Sequence, residues 1–211
     1  MNRCLLAAAS IALLLPLSAR AQSSVSLPAP RTEGGKPLMQ AQKARSSSRG
    51  FSAKPLPVDV LSDLLWAGFG INRPKEGRRT APSARDGQEI EIYVATADGL
   101  YLYDAKKNEL QTILAEDIRG LTGVQGYVKD APLNLVYVAD YEKMRGADAE
   151  KESISFADTG FIAENVYLYC ASEGLAAVIR ASVDKPALAK KIGLRPGQHI
   201  TLSQTVGFPK E

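Results

Sequence analysis

Histidine and cysteine are scarce in this sequence, with one histidine and two cysteines among 211 residues. A zinc site of the usual kind takes three or four such ligands, so it has too few here. A serine hydrolase is also disfavoured, because no Gly-x-Ser-x-Gly motif accompanies His199. We therefore predict that His199 is structural or solvent-exposed.

The sequence also lacks the glycine-rich phosphate loops of the Walker type and of the dinucleotide-binding type. Long apolar runs are missing beyond the N-terminus, where no stretch approaches the roughly 18 apolar residues of a membrane-spanning helix. These absences disfavour nucleotide-hydrolysing and membrane-spanning classes of protein.

The N-terminus itself resembles an export signal. Arg3 provides positive charge, residues 5–15 are apolar, and Ala19-Arg20-Ala21 is a small-residue cleavage site before Gln22. The sequence therefore predicts a signal peptide at residues 1–21 and a periplasmic or otherwise exported protein.

Cleavage changes both the charge and the cysteine content. The formal net charge of +3, less the two arginines at positions 3 and 20, leaves +1, which argues against nucleic acid as a partner. Cys4 leaves with the signal, so Cys170 has no partner for an intramolecular disulfide. Because Cys170 falls in an apolar helical pattern, we predict a packed thiol rather than a reactive one.

Residues 22–54 are polar and show no lasting hydrophobic period. We predict a disordered linker, with an arm that packs on a dimer partner as the alternative. The globular domain is predicted over residues 55–211, a usual size for one hydrophobic core.

Hydrophobic periodicity predicts three helices and five strands in this domain. The helices are at residues 58–69, 156–173 and 184–192, and the strands are at 89–94, 100–103, 133–139, 175–179 and 199–206. Asp98-Gly99 is typical of a hairpin turn, and Gly174 and Gly193 suit helix ends. The order of elements indicates an α+β fold with a mixed sheet.

The loop of residues 71–94 carries four arginines within thirteen positions, at 73, 78, 79 and 85. Guanidinium groups suit phosphate or carboxylate ligands, and two prolines punctuate the loop. From the residues alone, an anion site and a solvated charged surface remain equally open.

Several segments together resemble the nitroreductase superfamily, and most closely its SagB-type dehydrogenase or azoline-oxidase-like branch. These segments are residues 61–67, 72–74, 79–83, 158–168 and 206–210, and their order covers nearly all of residues 56–211. The resemblance implies an α+β homodimer with a long central interface helix and FMN bound between the subunits.

The resemblance also implies a set of FMN-binding residues: Asn72, Arg73, Arg79, Ser83, Asp86, Thr159, Gly160 and Lys210. Arg73 and Lys210 would hold the phosphate, with Arg79 as a helper. Ser83 and Asp86 would lie near the ribityl chain and ring, although the family commonly has Asn where Asp86 stands. A backbone N–H at Thr159 or Gly160, near the start of the central helix, would face flavin N5.

The activity implied is two-electron hydride transfer through FMN to a small-molecule acceptor, with no protein nucleophile and no metal. Export raises the question of the donor, for which a redox protein is one candidate because NAD(P)H is expected in the cytoplasm. The alternative is a non-catalytic module of the same fold that has lost flavin or binds another anion. A third interpretation, an interaction domain driven by the basic residues 31–54, depends on charge alone.

Overall fold

The computed structural model describes residues 23–210 of the 211-residue chain, so the predicted signal peptide lies outside the described residues. The helices are α1 (Leu38–Ala44), α2 (Val58–Phe69), α3 (Asp148–Glu173) and α4 (Lys185–Ile192). The strands are β1 (Ser24–Ser26), β2 (Ile71–Arg73), β3 (Arg78–Arg79), β4 (Ile90–Thr96), β5 (Gly99–Asp104), β6 (Glu109–Leu114), β7 (Leu133–Asp140), β8 (Ala176–Arg180) and β9 (Gln198–Gly207).

Seven strands form one sheet in the order β1-β6-β5-β4-β7-β9-β8, and β2 pairs with β3 in a separate hairpin. The α+β class is confirmed, but every pairing of the seven-stranded sheet is antiparallel rather than mixed. The cause is the position of β9. Strands β7 and β8 run in the same direction across the α3 crossover, and β9 inserts between them with the opposite direction.

Both faces of the sheet are covered. One core contains side chains of α2 and α3, including Leu64 and Ile162, and a second core on the other face contains Leu188 and Ile192 of α4. All eight residues of β7 are buried between these layers, as its continuous apolar sequence predicts.

Helix α2 has the predicted bounds, whereas α3 begins eight residues before the predicted start at Phe156. Its first two turns are largely polar and lack an apolar stripe, so the hydrophobic period does not reveal them. Acidic Asp148 and Glu150 in the first turn nevertheless favour a helix N-terminus. The predicted end is confirmed, because Gly174 adopts φ 74°.

In the structure, residues 23–54 contact the domain of the same chain as an arm. Strand β1 pairs with β6, and α1 contacts α3. The Arg31 and Lys36 amides donate to Asp63 Oδ1 and Ser172 Oγ, each at 2.7 Å. Hydrogen bonds and strand pairing hold this arm, which a search for hydrophobic period does not detect.

Within residues 23–210, no helix is both long and apolar enough to cross a membrane.

Candidate functional site

Arg79, predicted to help bind a phosphate, is half-buried inside the loop between α2 and β4. Its Nε donates to Gln88 Oε1 at 2.9 Å and its Nη1 donates to the Phe69 carbonyl at 3.0 Å. The guanidinium carbon lies 4.8 Å from the centroid of the Phe69 ring. Burial lowers the pKa of this guanidinium, which remains charged at neutral pH. These contacts give Arg79 a structural role in the loop.

Asn72 and Arg73 lie on β2, in the exposed hairpin that precedes Arg79. Arg73 Nη2 donates to the Arg79 carbonyl at 2.8 Å, and Arg73 Nε donates to Asn72 Oδ1 at 3.2 Å. The remaining three N–H donors of the Arg73 guanidinium have no hydrogen-bond partner within residues 23–210. Arg73 is therefore accessible to a ligand, but its described contacts stay within its own hairpin.

Ser83 and Asp86 belong to a tight turn that leads into β4. Ser83 Oγ accepts from the Gln88 amide at 2.9 Å, and Asp86 Oδ1 accepts from Gln88 Nε2 at 3.2 Å. Arg85 and Asp86 have φ of 55° and Gln88 has φ of 48°, in the left-handed region that costs non-glycine residues roughly 1–2 kcal/mol each. The network of hydrogen bonds maintains this strained turn.

The turn is also fixed to the central helix. The Ala84 amide donates to Asp158 Oδ2 of α3 at 2.8 Å, and both Asp158 and Glu89 are buried. Burial, reinforced by the neighbouring Asp158 carboxyl, raises the pKa of Glu89 to about 7. Glu89 Oε1 has no hydrogen-bond partner among the described residues, and a protonated carboxyl tolerates such burial better than a carboxylate.

Thr159 and Gly160 do not lie at the start of the central helix, which corrects the sequence-based prediction. Helix α3 begins at Asp148, so both residues are in its interior, where backbone N–H groups bond within the helix. Thr159 is fully buried, and its hydroxyl pairs with that of Thr201 at 2.8 Å. Gly160 is exposed, and a Cβ added there would meet no atom within 4 Å.

Lys210 lies beside the arm that precedes the domain. The Lys210 amide donates to the Gly50 carbonyl at 3.2 Å, and the Ser52 amide donates to the Phe208 carbonyl at 2.9 Å. The Ser48 amide donates to the Ala177 carbonyl of β8 at 2.9 Å. Residues 45–52 therefore run along the ends of β8 and β9.

The backbone bond between Lys210 and Gly50 sets two segments that carry cations side by side. We call Arg45, Arg49 and Lys210 the cationic cluster. Arg49 directly precedes Gly50, to which Lys210 is bonded, and the Arg45 guanidinium lies 5.5 Å from the Tyr167 ring centroid. Sequence reasoning missed both arginines because it assigned their segment to a linker. The available signal was the run Arg45-Ser46-Ser47-Ser48-Arg49, which combines cations and hydroxyls.

Tyr167 of α3 fixes the position of this segment. Its hydroxyl accepts from the Ile179 amide at 2.8 Å and pairs with Ser47 Oγ at 2.9 Å. The arm, the central helix and β8 therefore meet at one side chain. The phenol holds the arginine- and serine-containing segment against the sheet.

Arg180 of β8 is a second notable feature, because its charged side chain is buried. Its guanidinium contacts only neutral polar groups, which are Thr122, Asn134, Ser203 and Thr205. Burial lowers its pKa to about 10, so it stays protonated at neutral pH. Its Nε has no hydrogen-bond partner among the described residues. A buried cation without a carboxylate partner makes the adjacent surface electropositive.

His199 and Cys170 behave as predicted. His199 is exposed and its ring centroid lies 4.1 Å from that of Tyr141. Cys170 is a free, buried cysteine, and burial raises the pKa of its thiol well above the ordinary value. No cluster of three or more metal-ligating side chains occurs in residues 23–210.

Three comparisons with known proteins agree on one family. The model of the nitroreductase family matches residues 43–208, a range that includes Arg45 and Arg49 of the arm. A candidate nitroreductase from Methanocaldococcus jannaschii is 30% identical over 145 residues, which are 64% of this chain and 73% of that protein.

Solved structures show the same fold. A candidate nitroreductase from Ralstonia eutropha JMP134 superposes with a TM-score of 0.85 and 42% identity, covering 89% of this chain and 90% of that one. A candidate nitroreductase from Desulfovibrio desulfuricans, solved in complex with FMN, gives a TM-score of 0.62 at 20% identity and covers 84% of this chain and 89% of that one.

Proposed function

Because this chain belongs to the nitroreductase family, we propose that it is an FMN-dependent oxidoreductase that transfers two electrons from a donor to a small-molecule acceptor. The family match and a fold neighbour solved with FMN support this proposal. When bound, FMN supplies the redox chemistry. The protein then has to bind and orient the cofactor and to control access of water and substrate.

The observation that carries the proposal is the contact of Lys210 with Gly50. This backbone contact runs the segment of Lys210 beside the arm that carries Arg45 and Arg49, which supports a phosphate site at the cationic cluster. A phosphate monoester carries about −2 charge, and guanidinium and ammonium groups are its usual partners. The donor set of the cluster therefore fits the FMN phosphate.

Other residues are proposed to act away from the FMN phosphate. Ser83 and Asp86 remain proposed neighbours of the ribityl chain and ring, because the resemblance implies it and their turn is rigid. Arg79 is proposed to support this turn, and Arg73 to contribute only weakly to phosphate binding. Arg180 is proposed to favour an anionic form of the bound flavin through its uncompensated charge.

A homodimer is part of the proposal. The side chain of Phe161 is half-exposed in the middle of α3, beside exposed Gly160, and it is proposed to pack against a second subunit. Residues of both subunits would then enclose each FMN. This extends the family-level expectation that nitroreductases form dimers.

We also propose that the protein is exported and that it belongs to the SagB-type branch of the family. The apolar N-terminal sequence supports cleavage near Ala21 and a periplasmic location. The family model does not separate the SagB-type branch from other nitroreductases, so membership of that branch rests on the sequence resemblance. A redox protein is proposed as the electron donor in that compartment.

The phosphate assignment is tested by FMN affinity. We expect Arg49→Ala and Lys210→Ala each to weaken FMN binding at least about tenfold, because each removes a charge-assisted contact. Arg73→Ala is the matched control and is expected to stay within about threefold of wild type. Fluorescence titration of apoprotein with FMN measures all three. A large loss only in Arg73→Ala would contradict the assignment to the cationic cluster.

Asp86 favours a second candidate function, that of a binding module without catalytic activity. An ionised Asp accepts hydrogen bonds but cannot donate one, and its Oδ1 is already occupied by Gln88. The two functions differ in one assay. An enzyme reduces an acceptor repeatedly when supplied with a chemical reductant and FMN, whereas a module shows no turnover above free FMN.

A further inference from the structure

A concave site lies beside the turn that carries Ser83 and Asp86. It is a cavity of about 310 Å³ whose lining includes three cationic side chains, Arg85, Lys143 and Arg145. This volume is at the lower end of the range for small-molecule pockets. Within the part of the chain that the structure describes, no acidic side chain lines the cavity. We call it the Arg85–Arg145 cavity.

The two arginines differ from Lys143 in how their charge is compensated. Lys143 Nζ lies 2.9 Å from Glu91 Oε1 and 3.9 Å from Asp140 Oδ2. Arg85 and Arg145 have no ion-pair partner within residues 23–210. Two guanidinium groups on one concave surface therefore remain available to an anion, and their planar donor geometry matches a carboxylate.

The rest of the lining is suited to the body of an organic ligand. Met144 and Ile154 contribute apolar side chains, and Ala84 and Gly87 complete the wall. A thioether side chain adapts well to flat or irregular apolar groups. Cations beside an apolar surface select a molecule with a charged end and an apolar body, rather than a free inorganic ion.

The position of Arg85 is fixed by the fold. Its left-handed backbone follows Ala84, whose amide is held by Asp158. Gly87 also lines the cavity, and a Cβ added there would lie 3.3 Å from Glu89 Oε2. The wall of the cavity at Gly87 is therefore close-packed against the buried carboxyl group of Glu89. A rigid wall lowers the entropic cost of binding.

We propose that the Arg85–Arg145 cavity binds a small organic carboxylate, with the carboxylate between the two guanidinium groups and the apolar body against Met144 and Ile154. The cavity shares its turn with Ser83 and Asp86, the proposed neighbours of FMN. If the proposed oxidoreductase activity holds, on which this last step rests, the cavity selects acceptors that bear a carboxylate.

Calorimetric titration with benzoate tests the binding site directly, using the purified protein with whatever flavin it carries. We expect wild type to bind benzoate and not benzamide, its neutral analogue of the same shape. Arg85→Gln and Arg145→Gln are expected to weaken benzoate binding at least about tenfold, because each removes a charged donor. Lys75→Gln, which removes an exposed cation of the β2–β3 hairpin, is the control and is expected to bind as wild type does.

Three results would overturn the proposal: no benzoate binding to folded wild type, equal affinity for benzamide, or unchanged affinity in both arginine variants. Displacement of benzoate by an equal concentration of inorganic phosphate would also overturn it, since that marks a simple anion site. The two proposals fail separately. A colourless protein that binds benzoate removes the flavin proposal alone, and a yellow protein that does not bind benzoate removes this one alone.

Discussion

At the residue scale, neighbouring Arg78 and Arg79 have the same charge but opposite environments. Arg78 is exposed and pairs loosely with Glu76 at 3.3 Å, whereas Arg79 is half-buried and donates to Gln88 and Phe69. A sequence shows the two charges but not their enclosure. For that reason the structural role of Arg79 could not be predicted from the arginine pattern.

These two residues give a matched pair of variants. We expect Arg79→Met to lower the free energy of unfolding by about 1–3 kcal/mol, because it leaves Gln88 Oε1 and the Phe69 carbonyl without their donors. Arg78→Met is expected to change it by less than about 1 kcal/mol, as is usual for exposed ion pairs. Urea unfolding measures both. Equal losses in the two variants would show that Arg79 is not structural.

Glu89 predicts a pH dependence of stability. Its pKa is raised in the folded protein, so between pH 4.5 and about 7 the unfolded chain loses this proton while the folded chain keeps it. The folded state then binds more protons, and stability falls as the pH rises through this window. Above about pH 7 both states are ionised and the contribution of this group is constant.

Glu89→Gln removes the titration. The unfolding free energy of the variant minus that of wild type is expected to rise by up to about 3 kcal/mol from pH 4.5 to pH 7. Chemical denaturation at several pH values measures it, with Glu76→Gln as the control for an exposed carboxylate. A difference that stays flat over this window would mean that the pKa of Glu89 is the same in the folded and the unfolded chain.

At the element scale, regular hydrophobic patterns predicted five of the nine strands and three of the four α-helices of residues 23–210, but not α1, β1, β2, β3 or β6. Helix α2 and strand β7 have clear patterns, and their bounds follow the sequence closely. The first turns of α3 and the arm were missed, because polar contacts hold them. The same limit applied to the candidate site: the resemblance indicated Lys210, while Arg45 and Arg49 were lost with the arm.

The segment between β6 and β7 packs on Arg180 through a glycine. A Cβ at Gly123 would clash with Arg180 Nε, whereas a Cβ at Gly126 would meet no atom within 4 Å. We expect Gly123→Ala to cost about 1–3 kcal/mol of stability through overpacking. Gly126→Ala is the control and is expected to be neutral or slightly stabilising.

Thermal or urea unfolding distinguishes these two variants. Equal stabilities would mean that the segment is loose enough to move away from Arg180. The expected difference would instead show that burial of this uncompensated cation depends on close contact with the backbone at Gly123.

At the scale of the whole molecule, residues 48–52 of the arm and residues 208–210 meet beside the start of β8 and the end of β9, while the strained turn is bonded to Asp158 of the central helix. In the proposed homodimer, a contact around Phe161 would allow the cationic cluster of one subunit and the turn of the other to complete one site. Under the proposed function FMN would carry the chemistry, which fits the scarcity of catalytic side chains.

The visible absorption spectrum of the purified protein, recorded before and after incubation with excess FMN and removal of unbound cofactor, tests the central claim most directly. We expect a yellow protein that retains FMN in a stoichiometric ratio to the chain. A folded protein that remains colourless after this treatment would contradict the assignment of FMN-dependent chemistry.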